Sequence, residues 1–137
     1  MEEVECKVLD TDLLVDFLRG KRRAVQYIEE QLAQRASLRT TAVNLFELFY
    51  GAYRAGSDEG VEAVKKLASR MEILVVDERV AEEAGEELAY LVAQGLPIDI
   101  RDLLIGVAAR INGCSVVTSN EKHFRRVRGL KVESWRR

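Results

Sequence analysis

The sequence predicts an α/β fold in which helices cover a mostly parallel sheet. Two observations lead to this prediction: short apolar runs of strand length alternate with longer amphipathic stretches, and no proline- or serine-rich linker separates them. The length of 137 residues is typical of one domain and is sufficient to bury a substantial core. We therefore predict a single domain over residues 1–137.

Strands are predicted where a few mostly apolar residues stand between turn-forming residues, and helices where apolar residues recur every three or four positions. Glycines such as Gly20 and Gly113 follow predicted elements and mark the turns between them. In chain order the predicted elements are a strand at 4–10, helices at 12–18 and 21–35, a strand at 37–41, helices at 43–55 and 58–70, a strand at 72–76, helices at 78–94 and 99–112, and strands at 114–118 and 130–133.

The composition is that of a soluble globular protein, with 47% hydrophobic and 32% charged residues. No apolar run has the length of a membrane span, and the N-terminus is acidic where a signal peptide would be basic, so we expect a cytoplasmic protein without a membrane anchor. The net charge of -2 argues against indiscriminate coating of nucleic acid. The stretch from Lys122 to the C-terminus is nevertheless rich in Lys and Arg, and is either a solvated surface or a contact for a phosphate backbone.

The two cysteines, Cys6 and Cys114, lie in or beside predicted buried strands. Neither has a second cysteine or a histidine at the spacing of a metal site. We expect both to be buried free thiols.

Asp10 ends the first apolar run and stands directly before a helical pattern. Open α/β sheets place ligand sites at such strand ends. Thr11 or Asp12 is expected to cap the following helix. An Asp-x-Asp after a strand also resembles the haloacid-dehalogenase phosphatases, but Leu14 stands where that motif has Thr or Val, and the other residues of that site are missing.

Three further oxygen-bearing side chains are predicted near strand-to-helix junctions. They are Glu47, in the helix after the second strand, Asp102, in a first helical turn that Asp99 caps, and Asn120, after a strand ending at Thr118. With Asp10 they could converge on one point, and hard oxygen ligands are what Mg²⁺ or Mn²⁺ requires. We expect the N–H groups of the first turn to keep Asp102 ionised.

The predicted helix that carries Glu47 has two unusual features. Gly51, one turn later, lowers the helix propensity by about 1 kcal/mol, which suggests that another group approaches closely there. The aromatic residues Phe46, Phe49, Tyr50 and Tyr53 form a stripe. Such a stripe usually belongs to the core, and it indicates a subunit or partner interface if the tyrosine edges are exposed.

Several mechanisms are excluded by what the sequence lacks. His123 is the only histidine, which rules out a two-histidine ribonuclease mechanism and a multi-histidine zinc centre. The sequence has no Gly-x-Ser-x-Gly nucleophile motif, no Gly-x-Gly-x-x-Gly and no Walker motif. Carboxylate chemistry with a metal remains.

The order and spacing of these motifs resemble the PIN-domain nucleases over essentially the whole chain, and the C-terminal part resembles the VapC-like toxins of that family. The matching segments are 9–12, Glu47 after 40–41, 102–109, 117–120 followed by Phe124, and the ending 124–135.

The resemblance implies a three-layer α/β/α fold, RNA cleavage that depends on Mg²⁺ or Mn²⁺, a homodimer, and inhibition by a cognate antitoxin. It places Asp10, Glu47 and Asp102 at the acidic site positions, with Asp10 and Asp102 as metal ligands, and Asn120 where the family has a fourth acid or its Asn substitute. Thr11, Thr118 and Asp99 are expected to support the site, and Arg101 to position RNA. A housekeeping nuclease of RNA processing and a non-catalytic RNA-binding or adaptor module are the alternative functions.

Overall fold

The computed structural model describes residues 4–136, and in it five strands form one sheet in which every neighbouring pair is parallel. The strand order is β3-β2-β1-β4-β5. The strands are β1 (Cys6–Leu9), β2 (Ser37–Thr41), β3 (Glu72–Leu74), β4 (Ser115–Thr118) and β5 (Val132–Ser134).

Helices connect the strands and cover both faces of the sheet, which confirms the predicted α/β architecture. All six predicted helices are present, and the short helix after β4 was not predicted. The helices are α1 (Thr11–Leu18), α2 (Arg22–Ala33), α3 (Ala42–Arg54), α4 (Asp58–Ala68), α5 (Glu78–Ala93), α6 (Ile100–Ile111) and α7 (Glu121–Phe124).

The two central strands alternate their side chains between the two halves of the core. Leu9 and Val117 pack with residues of α1 to α4, whereas Val8 and Val116 pack with residues of α6 and α7. This alternation is the period of two that a pleated strand imposes. Because both faces are covered by helices, the strands are apolar on both sides.

The strand order reverses beside β1, and this reversal determines where a ligand site is expected. From β1 the chain moves outward through β2 to β3 and then returns to add β4 on the other side of β1. At such a switch point the loops after the two central strands separate and leave a crevice at the carboxyl ends. Asp10 follows β1 and Asn120 lies two residues beyond β4, so both stand at this crevice.

The start of α1 differs from the expectation. Asp10 is the N-cap residue, and its side chain makes no capping hydrogen bond, while Thr11 and Asp12 lie in the first turn. Their side chains turn towards other elements: the Thr11 hydroxyl donates to Glu47, and the Asp12 carboxylate accepts from Ser119. The expected cap by Thr11 or Asp12 is therefore wrong, because both side chains have partners in the tertiary structure.

The cysteines form a disulfide, so the expectation of free thiols is wrong. Cys6 begins β1, and Cys114 stands directly before β4, with Cα atoms 4.6 Å apart. Strands β1 and β4 pair with Lys7 opposite Ser115, which brings the two preceding residues side by side. The bridge lies at the amino ends of β1 and β4, whereas Asp10 lies at the carboxyl end of β1.

Within residues 4–136, no helix is both long enough and apolar enough to cross a membrane. Gly51 is exposed on α3, and a Cβ atom placed there would meet nothing within 4 Å. No group within the described residues makes the close approach that was expected at Gly51.

Candidate active site

Asp10 is the most deeply buried carboxylate at the crevice, with 7% of its surface exposed. The Thr118 hydroxyl donates to its Oδ2 at 2.7 Å, and the Asn44 amide Nδ2 donates to its Oδ1 at 3.1 Å. Thr118 is the last residue of β4, and Asn44 lies in the first turn of α3. Asp10 is thus held between the ends of two strands and the start of a helix.

Asn44 is oriented by the capping box at the start of α3. Its Oδ1 accepts from the Thr41 backbone N–H and hydroxyl, and the Thr41 hydroxyl oxygen accepts from the Asn44 N–H. This leaves Nδ2 to donate both to Asp10 and to the Thr11 hydroxyl oxygen. Asn44 is fully buried with all its polar atoms paired, so its orientation is fixed.

Glu47 lies one turn further along α3. The Thr11 hydroxyl donates to Glu47 Oε1 at 2.9 Å, and Arg101 Nη1 lies 3.5 Å from Glu47 Oε2. Arg101 also pairs with Asp99, whose carboxylate accepts from the Arg101 backbone N–H as the N-cap of α6. The predicted N-cap role of Asp99 is confirmed, and Arg101 is paired within the chain.

Asp102, in the first turn of α6, contacts the segment that follows β4. His123 Nδ1 lies 3.1 Å from Asp102 Oδ2, and Asn120 Nδ2 lies 3.5 Å from the same oxygen. The Asn120 backbone N–H donates to the Thr118 hydroxyl oxygen at 2.9 Å. Hydrogen bonds therefore lead from Asp10 through Thr118 and Asn120 to Asp102.

The pKa values of Asp10, Glu47 and Asp102 are all raised. Burial raises the pKa of Asp10 to about 7; the Thr118 hydrogen bond opposes the shift, and the charges of Asp12 and Asp102 add to it. Burial also raises the pKa of Glu47, against the opposing contacts of Thr11 and Arg101. The site therefore holds more negative charge than its surroundings stabilise, which is the condition that favours a bound cation.

The structure corrects the expectation for Asp102. Burial raises its pKa, and the hydrogen bond from His123 opposes that shift. Its described hydrogen-bond partners are the side chains of His123 and Asn120, and no first-turn N–H group of α6 is among them. The expected stabilisation by these N–H groups is therefore wrong, because the carboxylate turns away from its own helix towards α7.

The four residues that were expected to converge are connected, but they do not surround a single point. Among residues 4–136, no three Asp, Glu, His or Cys side chains lie together at metal-binding spacing. Each carboxylate is instead occupied by a donor from the protein: Asp10 by Thr118 and Asn44, Glu47 by Thr11, and Asp102 by His123. The oxygen donors and the raised pKa of Asp10 fit a hard divalent cation.

Sequence reasoning did not identify Asn44, Asp12 or His123 as parts of the site. The only sequence signal for Asn44 is the Thr-x-x-Asn spacing of a capping box. Asp12 Oδ2 accepts from the Ser119 N–H and hydroxyl and from Trp135 Nε1, so Asp12 holds the segment next to Asn120. His123 was used only to exclude other mechanisms.

Three arginines near the C-terminus are engaged within the protein. Arg125 pairs with Glu121, Arg128 pairs with the buried Glu87, and Arg126 donates to a backbone carbonyl. Arg128 also lies over the ring of Tyr90, 3.5 Å from its centroid. These three arginines therefore have partners within the protein.

The aromatic stripe of α3 is mostly outside the core. Phe46, Tyr50 and Tyr53 expose 61%, 57% and 65% of their surfaces, and Phe49 is half-buried. The expectation that the stripe belongs to the core is wrong for these three, and their exposure meets the stated condition for an interface.

Comparison with known proteins decides the family. Residues 7–130 match the PIN domain. The chain belongs to the PIN domain family. It is 31% identical over 129 residues to the tRNA(fMet)-specific endonuclease VapC of Shigella flexneri, covering 93% of this chain and 96% of that protein. It is 28% identical over 129 residues to ribonuclease VapC2 of Haemophilus influenzae strain Rd, with the same coverage.

Solved structures agree with this assignment. VapBC2 from Rickettsia felis, bound to a DNA fragment from its promoter, superposes with a TM-score of 0.84 at 27% identity and covers 95% of this chain and 98% of that one. DNA-bound VapBC from Salmonella typhimurium gives a TM-score of 0.84 at 28% identity, and the match covers 97% of this chain and 99% of that one. The chain is therefore a VapC-like PIN domain over nearly its whole length.

Proposed function

We propose that this protein is a metal-dependent endoribonuclease and the toxin of a VapBC-type toxin–antitoxin pair in the cytoplasm. The observation that carries the proposal is the set of carboxylates at the switch point of the sheet, led by the buried Asp10 with its raised pKa. The VapC relatives, which are named as ribonucleases and as a tRNA-specific endonuclease, support RNA as the substrate.

Asp10 and Asp102 would hold a Mg²⁺ or Mn²⁺ ion, with Glu47 and Asn120 completing the catalytic group. Such an ion supplies an activated water and offsets negative charge on a phosphodiester. The side chains of the chain itself prepare the site: Thr118 and Asn44 orient the two oxygens of Asp10, and Thr11 orients Glu47. His123 orients Asp102.

The ionisation of Asp10 is the step that these contacts control. An acid with a pKa of about 7 is partly protonated at neutral pH, and a cation must displace that proton. The donors Thr118 and Asn44 favour the ionised form, since both donate to carboxylate oxygens. Asp10 is thus close to the balance between a neutral acid and a cation ligand.

The surface between α1, α2 and α4 is where an antitoxin segment would bind. A groove of about 610 Å³ opens there with a mainly aliphatic and aromatic wall. An amphipathic helix is the partner that such a groove fits, and a basic side chain carried by it would compete with the metal for the carboxylates. The larger apolar residues in the wall are Leu14, Phe17, Leu18, Ile28, Leu32, Leu38, Leu67 and Met71.

The exposed aromatic surface of α3, formed by Phe46, Tyr50 and Tyr53, would be a homodimer contact. It lies on the same helix as Glu47, so a partner subunit seated there would stand beside the catalytic group. Exposed aromatic side chains in a group are characteristic of subunit interfaces.

The proposed activity is tested by incubating the purified protein with a labelled tRNA pool, first in chelator and then with excess Mg²⁺ or Mn²⁺. Discrete cleavage products that appear only with the metal would support the proposal. The Asp102→Asn variant serves as the control for a contaminating nuclease. Cleavage of equal extent by this variant, or no cleavage under any metal condition, would overturn it.

A further inference from the structure

The turn between α1 and α2 carries a cluster of unbalanced positive charge. Arg19, Lys21, Arg22 and Arg23 are all exposed, and none of their side chains has an ion pair or hydrogen bond within residues 4–136. The whole chain has a net charge of -2, so this cluster is a local feature. It differs from Arg125, Arg126 and Arg128, which are paired with acids or a carbonyl.

The backbone of this turn is tightly closed. Gly20 has a φ of 70°, its N–H donates to the Phe17 carbonyl at 3.0 Å, and the Lys21 N–H donates to the Asp16 carbonyl at 2.9 Å. These two bonds end α1 in a left-handed turn that glycine adopts without strain. The four cations are therefore presented from a fixed backbone.

Two adjoining grooves are formed where this turn meets the C-terminal segment, and together we call them the basic groove. Their volumes are about 400 and 300 Å³, and both are lined by Arg22, Arg23 and Trp135. Arg136 lines the smaller one, with its guanidinium 4.8 Å from the centroid of the Trp135 ring. The acids in the walls are Glu30 and Asp16, and Asp16 is paired with Arg136.

The basic groove is connected to the catalytic group through Asp12. Trp135 Nε1 donates to Asp12 Oδ2 at 3.4 Å, and the Ser119 N–H donates to the same oxygen at 2.9 Å. Ser119 stands between Thr118 and Asn120, which both belong to the site. The wall of the groove and the corner of the site therefore share one carboxylate.

We infer that the basic groove binds phosphates of the RNA strand whose cleavage site lies at Asp10 and Asp102. The inference rests on the proposed ribonuclease function. An acidic site repels a polyanion, so a strand placed over it needs positive charge nearby, and guanidinium groups suit phosphate oxygens in geometry and charge. Arg101 is engaged by Asp99 and Glu47, whereas Arg22 and Arg23 are unpaired within the described residues.

The test measures binding of a fluorescent single-stranded RNA by the full chain in chelator, at a series of salt concentrations. Each phosphate contact on a single strand contributes about 0.7 to the slope of log affinity against log salt. The double variant Arg22→Gln/Arg23→Gln is expected to bind several-fold more weakly and to reduce the slope by about 1.4. The control, Lys65→Gln/Arg79→Gln, removes two exposed charges from α4 and α5, and is expected to keep the wild-type slope.

Each other outcome contradicts the inference. An unchanged slope in the groove variant, or an equal reduction in both variants, would show that the groove has no specific role. The same proteins are also titrated with a fluorescent polyglutamate peptide. Loss of polyglutamate binding in the groove variant, with intact RNA binding, would assign the groove to an acidic protein segment. If the wild-type chain binds no RNA, the proposed function fails too, whereas RNA binding that is indifferent to Arg22 and Arg23 overturns the groove alone.

Discussion

The Thr118 hydroxyl donates to Asp10 Oδ2 at 2.7 Å, which joins the carboxyl ends of β4 and β1 inside the site. The same hydroxyl oxygen accepts from the Asn120 N–H. One side chain therefore sets both the orientation of the buried acid and the path of the chain after β4. Because Asp10 is buried with a raised pKa, its protonation is linked to the stability of the fold.

Without metal, the protein is expected to lose stability as the pH rises from about 4 to about 7. The pKa of Asp10 is raised in the folded state from 3.8 to about 7, so the folded protein binds the proton more tightly than the unfolded chain. The resulting stabilisation is complete below the unfolded value and is lost as the pH approaches the folded value. Asp10→Asn should remove most of this pH dependence, because its amide does not ionise.

Chemical denaturation at pH 4.5 and at pH 7.5 in chelator provides the measurement. Glu47 and Asp102, whose pKa values are also raised, should leave a smaller dependence of the same sign in the Asp10→Asn variant. Asp58→Asn, an exposed carboxylate in the first turn of α4, is the matched control and should behave as wild type. If the wild-type protein gains stability between these two pH values, the raised pKa of the buried Asp10 carboxyl group is contradicted.

His123→Ala is expected to weaken metal binding by about 10- to 100-fold, the usual cost of removing a group that orients a metal ligand. Its Nδ1 lies 3.1 Å from Asp102 Oδ2, and this contact lowers the pKa of Asp102. Calorimetric titration with Mn²⁺ measures the effect, and Lys122→Ala, the neighbouring cation on α7, is the control. An affinity equal to that of wild type would show that His123 has no positioning role.

Reduction of the Cys6–Cys114 disulfide should lower stability without loss of activity. The bridge closes a loop with a sequence separation of 108 residues, and chain entropy for a loop of that size corresponds to at most about 5 kcal/mol. The bridge lies at the amino ends of β1 and β4, away from Asp10. Thermal unfolding with and without reductant, and of the Cys6→Ser/Cys114→Ser variant, gives the stability. A reduced protein that melts like the oxidised one, or that no longer cuts RNA, would refute this prediction.

The aromatic surface of α3 should hold two copies of the chain together. Light scattering at micromolar concentration is expected to give a dimer for wild type and a monomer for Phe46→Asp/Tyr50→Asp. Leu32→Asp places a charge on an exposed apolar residue of α2, within the proposed antitoxin groove, and should remain dimeric. A monomeric wild-type protein would count against this interface, and RNA cleavage by that monomer would show that the site needs no second copy.

The residues that stand at strand ends could be predicted from the sequence. Asp10 and Asn120 follow apolar runs, and parallel strands bring their carboxyl ends to one edge, so their approach follows from local patterns. The order β3-β2-β1-β4-β5 confirms this geometry. Local pattern was sufficient because each of these positions depends on the end of one element.

Pairings between distant segments could not be predicted in this way. The disulfide requires β4 to lie beside β1, which is a property of the strand order and not of either strand alone. The roles of Asn44 and His123 depend on how α3 and α7 are rotated about their axes. The pairing of Arg128 could not be predicted because its acidic partner, Glu87, lies on α5, 41 positions earlier.

The most direct test of a metal-dependent acidic site is the comparison of Mn²⁺ occupancy with RNA cleavage in one titration. Electron paramagnetic resonance gives the bound metal, and a labelled RNA gives the rate in the same samples. We predict no cleavage in chelator, a rate that rises in parallel with the bound Mn²⁺, and loss of both signals in Asp10→Asn. Undiminished cleavage in chelator, or full cleavage by Asp10→Asn, would contradict the account.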